Sequence, residues 1–163
     1  MHSRIFQISN KPLAADEFID EFSLIEDATV EACSDYIGDV ITSEAGYQED
    51  FQDFVSCFSA FISKVDFPGR KITLVPEEQR RILVKEWLRD SAEKIKSLTE
   101  DAKGIDDGLL HYKVTNLTQR YHDVSYLFYS GYSGYVMQSG EFAHELVNLP
   151  DEIYVGSIID YHF

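Results

Sequence analysis

The chain closes on Ile153-Tyr154-Val155-Gly156-Ser157-Ile158-Ile159-Asp160-Tyr161-His162-Phe163, a run rich in Ile, Val and Tyr. β-Branched and aromatic residues in this density predict a terminal strand, interrupted only by Gly156-Ser157. Reading back from it, Val124 to Tyr129 and Tyr135 to Gln138 have the same character. They flank Tyr129-Ser130-Gly131-Tyr132-Ser133-Gly134-Tyr135, which predicts a tight turn or loop. Glu141 to Val147 fits a helical turn. Residues 109–121 fit either state: Leu110, Val114, Leu117 and Tyr121 keep helical spacing, while Tyr112 and Val114 alternate as in a strand. Residues 105–163 therefore read as strand-rich.

Upstream of residue 105 the period changes. Arg4 to Ser9 reads as a short strand, and Pro12 suits the first turn of a helix carrying Ala14, Phe18, Phe22 and Ile25. A second helix is predicted from about Ala28 to Ile41, with Val30, Cys33, Ile37 and Val40 on one face. Gly46 breaks the pattern. Phe51, Phe54, Val55, Phe58, Ile62 and Val65 then predict the cleanest amphipathic helix, whose other face (Ser56, Cys57, Ala60 and Ser63) is small enough for a second helix to approach. Lys71 to Val75 reads as a strand after the Pro68-Gly69 turn. Pro76-Glu77-Glu78 opens a long helix over 76–102, with Val84, Leu88, Ala92, Ile95 and Ala102 inward and a stop at Lys103-Gly104. The expectation is one α+β domain over 1–163, helix-rich over 12–104, packed on a mostly antiparallel C-terminal sheet.

Charge sharpens the question of function. The 163 residues carry a formal net charge of −15, with 44% hydrophobic content, which is too apolar for disorder. Between Lys11 and Lys64 there is no Lys, Arg or His, yet thirteen carboxylates lie from Asp16 to Asp53. Residues 68–104, with nine bases against seven acids, are the only basic part. Such acidity disfavours direct binding to nucleic acid or to anionic membranes. No run reaches transmembrane length, and the first residues lack the apolar stretch of a signal peptide. Cys33 and Cys57 alone make a disulfide framework unexpected, and both are predicted to be buried on helices. A small acidic cytoplasmic protein of bacterial or mobile-element type is expected.

On the helix predicted over 28–41, Asp27, Glu31, Asp35 and Asp39 step by four along one side, with Glu49, Asp50 and Asp53 beyond. Like charges at that spacing repel by a few tenths of a kcal/mol per pair. The stripe reads as a solvated face, as a surface for a basic protein partner, as a mimic of DNA phosphates, or as a weak hard-cation site without a calcium-loop sequence. The basic helix, with Arg80, Arg81, Lys85, Arg89, Lys94 and Lys96, reads first as a solvated helix satisfied by its own Glu77, Glu78, Glu86, Asp90 and Glu93, and second as a face whose surplus charge neutralises the stripe internally. Tyr129, Tyr132 and Tyr135, set among Ser and Gly, resemble binding surfaces built from rigid aromatics and small polar neighbours.

Motifs of catalysis are thin. Gly131-Tyr132-Ser133-Gly134 is not a nucleophile elbow, and Glu141-x-x-His144 occurs once where a di-iron bundle needs it twice. No cofactor or metal is implied. The leading expectation is a non-enzymatic protein that binds a basic macromolecule through the acidic residues and the tyrosine loop. The competing expectation is a small-ligand protein or enzyme using Tyr132, Tyr135, His144, Asp160 and His162. It requires those side chains to converge.

Overall fold

In the computed structural model, which describes residues 2–100 and 106–163, the chain runs β1 (His2–Ser9), α1 (Ala28–Cys33), β2 (Tyr36–Val40), α2 (Glu44–Cys57), β3 (Ile62–Asp66) and β4 (Lys71–Leu74). It continues through α3 (Glu77–Glu100), α4 (Asp107–Gln119), β5 (Leu127–Ser130), β6 (Val136–Gln138), α5 (Ser139–Glu145) and β7 (Glu152–His162). The strands form one mixed sheet in the order β3-β4-β7-β1-β5-β6, and β2 also pairs with β7. Only β1 and β5 run parallel.

The closing strand is the centre of this sheet. One edge of β7 takes β1 (Ile5 opposite Ile159), and the other takes β4 (Ile72 opposite Ile153) and β2 (Ile37 opposite Tyr161). Between the pairs Phe6/Ile158 and Ile8/Val155, β7 carries one residue more than β1, so Gly156-Ser157 forms a bulge. That extra residue lets Ile153, Val155 and Ile158 enter the same layer, although 155 and 158 are three apart. Ile159 and Tyr161 enter the other layer.

Gln7 fixes the bulge. Its Oε1 accepts from Ser157 N at 3.0 Å and from Ile19 N at 3.2 Å, and its Nε2 donates to Glu17 O at 2.7 Å. A Cβ on residue 156 would lie 2.3 Å from Gln7 Oε1 and 2.6 Å from a Leu13 methyl, so a side chain there would push Gln7 out of these hydrogen bonds.

The larger core layer lies between the sheet and α2, α3 and α5. Phe6, Phe54, Phe58, Phe128 and Phe142 are each at most 1% exposed, and Phe128 stacks on Phe142 with centroids 3.8 Å apart. Burial of each such ring stabilises the fold by about 1.5–3 kcal/mol. The smaller layer, on the opposite face, joins Leu24 and Val30 to Ile5, Leu127, Val136, Ile159 and Tyr161.

The α+β class stands, but helices and strands are not segregated along the chain, because the first strand pairs with the last. The helix expected from Pro12 to Ile25 is an irregular segment ending in a 3-10 turn, Glu21–Leu24. Its backbone is bonded to the sheet, through Gln7 and through Ser157 Oγ donating to Ile19 O at 2.5 Å, and Phe18, Phe22 and Ile25 are exposed.

The helix expected over 28–41 stops at Cys33. Ser34 is extended, Asp35 N donates to His162 O, Ile41 N donates to Ile158 O, and Tyr36–Val40 is a strand. The four-step acidic stripe therefore does not exist as a helix face. Asp27 is the cap of α1, Glu31 lies on α1, Asp35 lies between elements, and Asp39 is in β2.

The phenylalanine helix starts earlier than expected and ends earlier. Ser43 caps α2 by accepting from Gly46 N at 3.2 Å, so Gly46 sits in its first turn, and Ile62 and Val65 belong to β3. Its small face, Ser56 and Cys57 with Ala60 and Ser63 beyond, is exposed, so only one side is packed. Residues 109–121 resolve largely as α4. On α3 the buried residues are Arg80, Val84, Trp87 and Ser91, whereas Leu88 and Ala92 are exposed. The expected inner residue Ala102 and the stop at Lys103-Gly104 lie outside the described residues. Cys33 is half-buried and Cys57 exposed, not both buried, and both are free thiols.

Candidate functional site

The acidic residues singled out in the sequence divide into those the fold uses and those it leaves in solvent. Asp27 caps α1 by accepting from Thr29 N at 2.8 Å and Val30 N at 3.1 Å, and its other oxygen accepts from Val136 N at 3.2 Å. Asp35 pairs with His162 Nδ1 at 2.9 Å, and this hydrogen bond is the main cause of its lowered pKa. Asp50 pairs with Arg4 Nε at 2.9 Å, and Arg4 also bonds Asp160.

Glu31, Asp39, Glu49 and Asp53 remain exposed and make no ion pair among the described residues. The basic helix does not relieve them. The ion pairs of α3 are Arg81 with Glu77 on the same helix and Arg80 with Asp151, and none reaches residues 16–53.

The tyrosine loop is a fixed hairpin tip. Ser130 N donates to Tyr135 O at 2.9 Å, Gly134 N to Ser130 O at 2.7 Å, and Gly131 N to Ile8 O at 2.8 Å. Gly134 has φ +74°, a conformation that glycine adopts without strain. Tyr129 is half-buried in β5 against the smaller core layer and is turned away from the other two tyrosines. Tyr132 and Tyr135 are 38% and 40% exposed.

Both of those rings stand beside carboxylates of α5. Tyr132 Oη donates to Glu145 Oε1 at 3.2 Å, and burial with the Glu145 charge pushes its pKa up to about 12. Tyr135 is raised by burial and then by Glu141 and Glu145. Glu141 is itself raised above the usual carboxylate range by burial and by Glu145 one helical turn away. A cleft of about 460 Å³ opens here, lined by Trp87 and Leu88 of α3, Tyr135, and Glu141, His144 and Glu145 of α5. Gly140 lets α5 approach α4, since a Cβ there would lie 2.7 Å from Gln119 O.

The sequence reading weighed Glu141 only as a metal-ligand partner of His144, and it missed Trp87 and Glu145 as site residues. Glu141 and Glu145, four apart, come one element after the tyrosine loop, beyond β6, and Trp87 is the only tryptophan.

The five residues of the enzymatic reading do not converge. Tyr132, Tyr135 and His144 belong to the α5 cleft. Asp160 is bonded to Arg4 and His2, and His162 to Asp35, where β1, β2 and β7 meet. A second cavity of about 360 Å³ is lined by Cys33, Arg120, Ser125, Ser139 and Tyr161 with no histidine. Burial pushes the Cys33 thiol up against the opposing charge of Arg120, so it is not an activated thiolate. The Ser139 hydroxyl donates to Val124 O and accepts from Tyr121 N.

No group of three or more His, Cys, Asp or Glu among the described residues is placed to hold a metal ion, and no helix there is long and apolar enough to cross a membrane. No protein-family model, curated protein or solved structure matches the chain.

Proposed function

We propose that the protein works by binding a basic macromolecular partner rather than by catalysis. Unneutralised carboxylates on α1, β2 and α2 attract the partner, and the tyrosine hairpin beside α5 gives it a close contact. The observation that carries this reading is the set Glu31, Asp39, Glu49 and Asp53, exposed and without ion pairs among the described residues while the chain's own basic helix pairs elsewhere. Charge of one sign left in solvent accelerates encounter with an opposite charge, while aromatic side chains supply the buried contact that holds it. Mimicry of DNA is not part of the proposal, because it needs an even row of carboxylates and these lie on a helix, a strand and a second helix.

The test is binding of a ten-lysine peptide, followed by fluorescence anisotropy from about 0.05 to about 0.5 M salt. Affinity should fall steadily with salt. It should also fall when Glu31, Asp39, Glu49 and Asp53 are changed together to their amides. The matched control removes four exposed charges from α3, as Glu78→Gln, Glu86→Gln, Asp90→Asn and Glu93→Gln. If both quadruple variants lose affinity equally, the attraction is a property of net charge alone and the proposed surface is wrong.

A further inference from the structure

We propose that the cleft between α3, α5 and the β5–β6 hairpin is a socket for one arginine side chain of the basic partner. The inference rests on the reading just given and names the contact within it. Glu141 and Glu145 lie one turn apart on the same face of α5, and no ion pair among the described residues reaches either. Glu141 is exposed and Glu145 half-buried, and two carboxylates held one turn apart repel each other until a cation enters between them.

The walls select the kind of cation. Trp87, only 6% exposed, forms part of the cleft floor, and Tyr135 and Leu88, both substantially exposed, complete an apolar rim. A guanidinium is flat, weakly hydrated and carries five donors, so it can lie against an aromatic ring while donating to two separate carboxylates. An ammonium is strongly hydrated and is a point donor, and it loses more water on entering the same space. The Tyr132 hydroxyl holds Glu145 by donation at 3.2 Å and so orients one of the two acceptors before the ligand arrives. The cleft volume, about 460 Å³, accommodates a long side chain and part of its backbone.

The experiment uses the full chain, isotopically labelled, titrated with Nα-acetyl-arginine amide, Nα-acetyl-lysine amide and Nα-acetyl-citrulline amide. The Trp87 indole and Gly140 amide NMR signals report occupancy. Arginine amide should move both, with affinity about fivefold or more above lysine amide and about tenfold or more above the uncharged citrulline amide. Glu141→Gln with Glu145→Gln should weaken arginine binding about tenfold, and Tyr135→Leu should remove the preference over lysine. Equal binding of arginine and lysine, equal binding of citrulline, or indifference to the double glutamine change overturns the socket. If arginine amide fails to bind while the ten-lysine peptide still binds through Glu31, Asp39, Glu49 and Asp53, the socket falls and the partner reading survives. If arginine amide binds as described while the ten-lysine peptide is indifferent to that set, the socket stands and the acidic surface falls.

Discussion

Arg80 ties α3 to the segment that follows α5. It is 2% exposed, and its Nη1 donates to Leu146 O at 2.8 Å and Leu149 O at 2.7 Å, while Nη2 donates to Asp151 at 2.9 Å. One guanidinium thus satisfies carbonyls at the end of α5 and in the segment leading into β7. Arg80→Met keeps the apolar stem but leaves two buried carbonyls without a donor. The expected loss is about 3 kcal/mol of unfolding free energy in urea. A loss below about 1 kcal/mol would show that those carbonyls find other partners.

Glu141 makes the opposite case. Its folded-state pKa lies above the ordinary value of 4.5, so ionisation is harder in the fold than in the unfolded chain. The penalty is absent below the ordinary value, develops as pH rises through the raised one, and is complete above it. Glu141→Gln should therefore raise the thermal midpoint at pH 7, and the gain should vanish near pH 4. A midpoint difference that is independent of pH would exclude this account. Stability gained at the expense of arginine binding is the expected signature of a residue kept for function.

β7 shows how a strand's role can hide from its own sequence. The Ile, Val and Tyr of Ile153–Phe163 mark a strand, and a strand was found, but composition does not say whether it lies at an edge or at the centre. Pairing with β1 on one edge and with β2 and β4 on the other decides that, and such distant partners leave no local signal. The segment 28–41 failed for a related reason. Val30, Cys33, Ile37 and Val40 have helical spacing, yet Ile37 and Val40 also favour strands, and the backbone bonds offered by β7 won. Phe18, Phe22 and Ile25 mimic a helix face without having a core to meet. Where local and tertiary preferences agreed, as for Phe51, Phe54 and Phe58, the residues were legible as core.

The tyrosine turn was legible too, and its carboxylate neighbours were not, because the aromatic pattern ends one element before α5. These placements make a prediction about truncation. A chain ending at Ile158 loses Ile159 and Tyr161, each worth about 1.5–3 kcal/mol of burial, together with the pairing that holds β2. That is a large share of a typical stability of about 5–15 kcal/mol. The truncated chain should show no cooperative thermal transition by circular dichroism. An edge strand would tolerate the cut, so a sharp transition close to that of the full chain would contradict the central position of β7.

The net charge of −15 acts on folding and on binding with opposite signs. Exposed carboxylates repel one another in the folded state more than in the expanded chain, because folding brings them closer. Ion pairs such as Lys11–Glu17 and Lys71–Glu152 at 2.5 and 2.8 Å offset this locally, but none among the described residues reaches Glu31, Asp39, Glu49 or Asp53. Added salt shortens the screening length from about 30 Å at 0.01 M to about 8 Å at 0.15 M. Screening over that range should relieve the repulsion and raise the thermal midpoint, while the same screening weakens attraction to a basic peptide. Both trends come from one charge distribution, so they can be tied together. In the variant with Glu31, Asp39, Glu49 and Asp53 changed to amides, the midpoint at low salt should rise toward the high-salt value of the parent, and the salt dependence of peptide binding should flatten. A midpoint that rises without any change in binding would show that these carboxylates only burden the fold. A change in both, in the stated directions, is expected if the surface is retained against its own repulsion because a basic partner neutralises it.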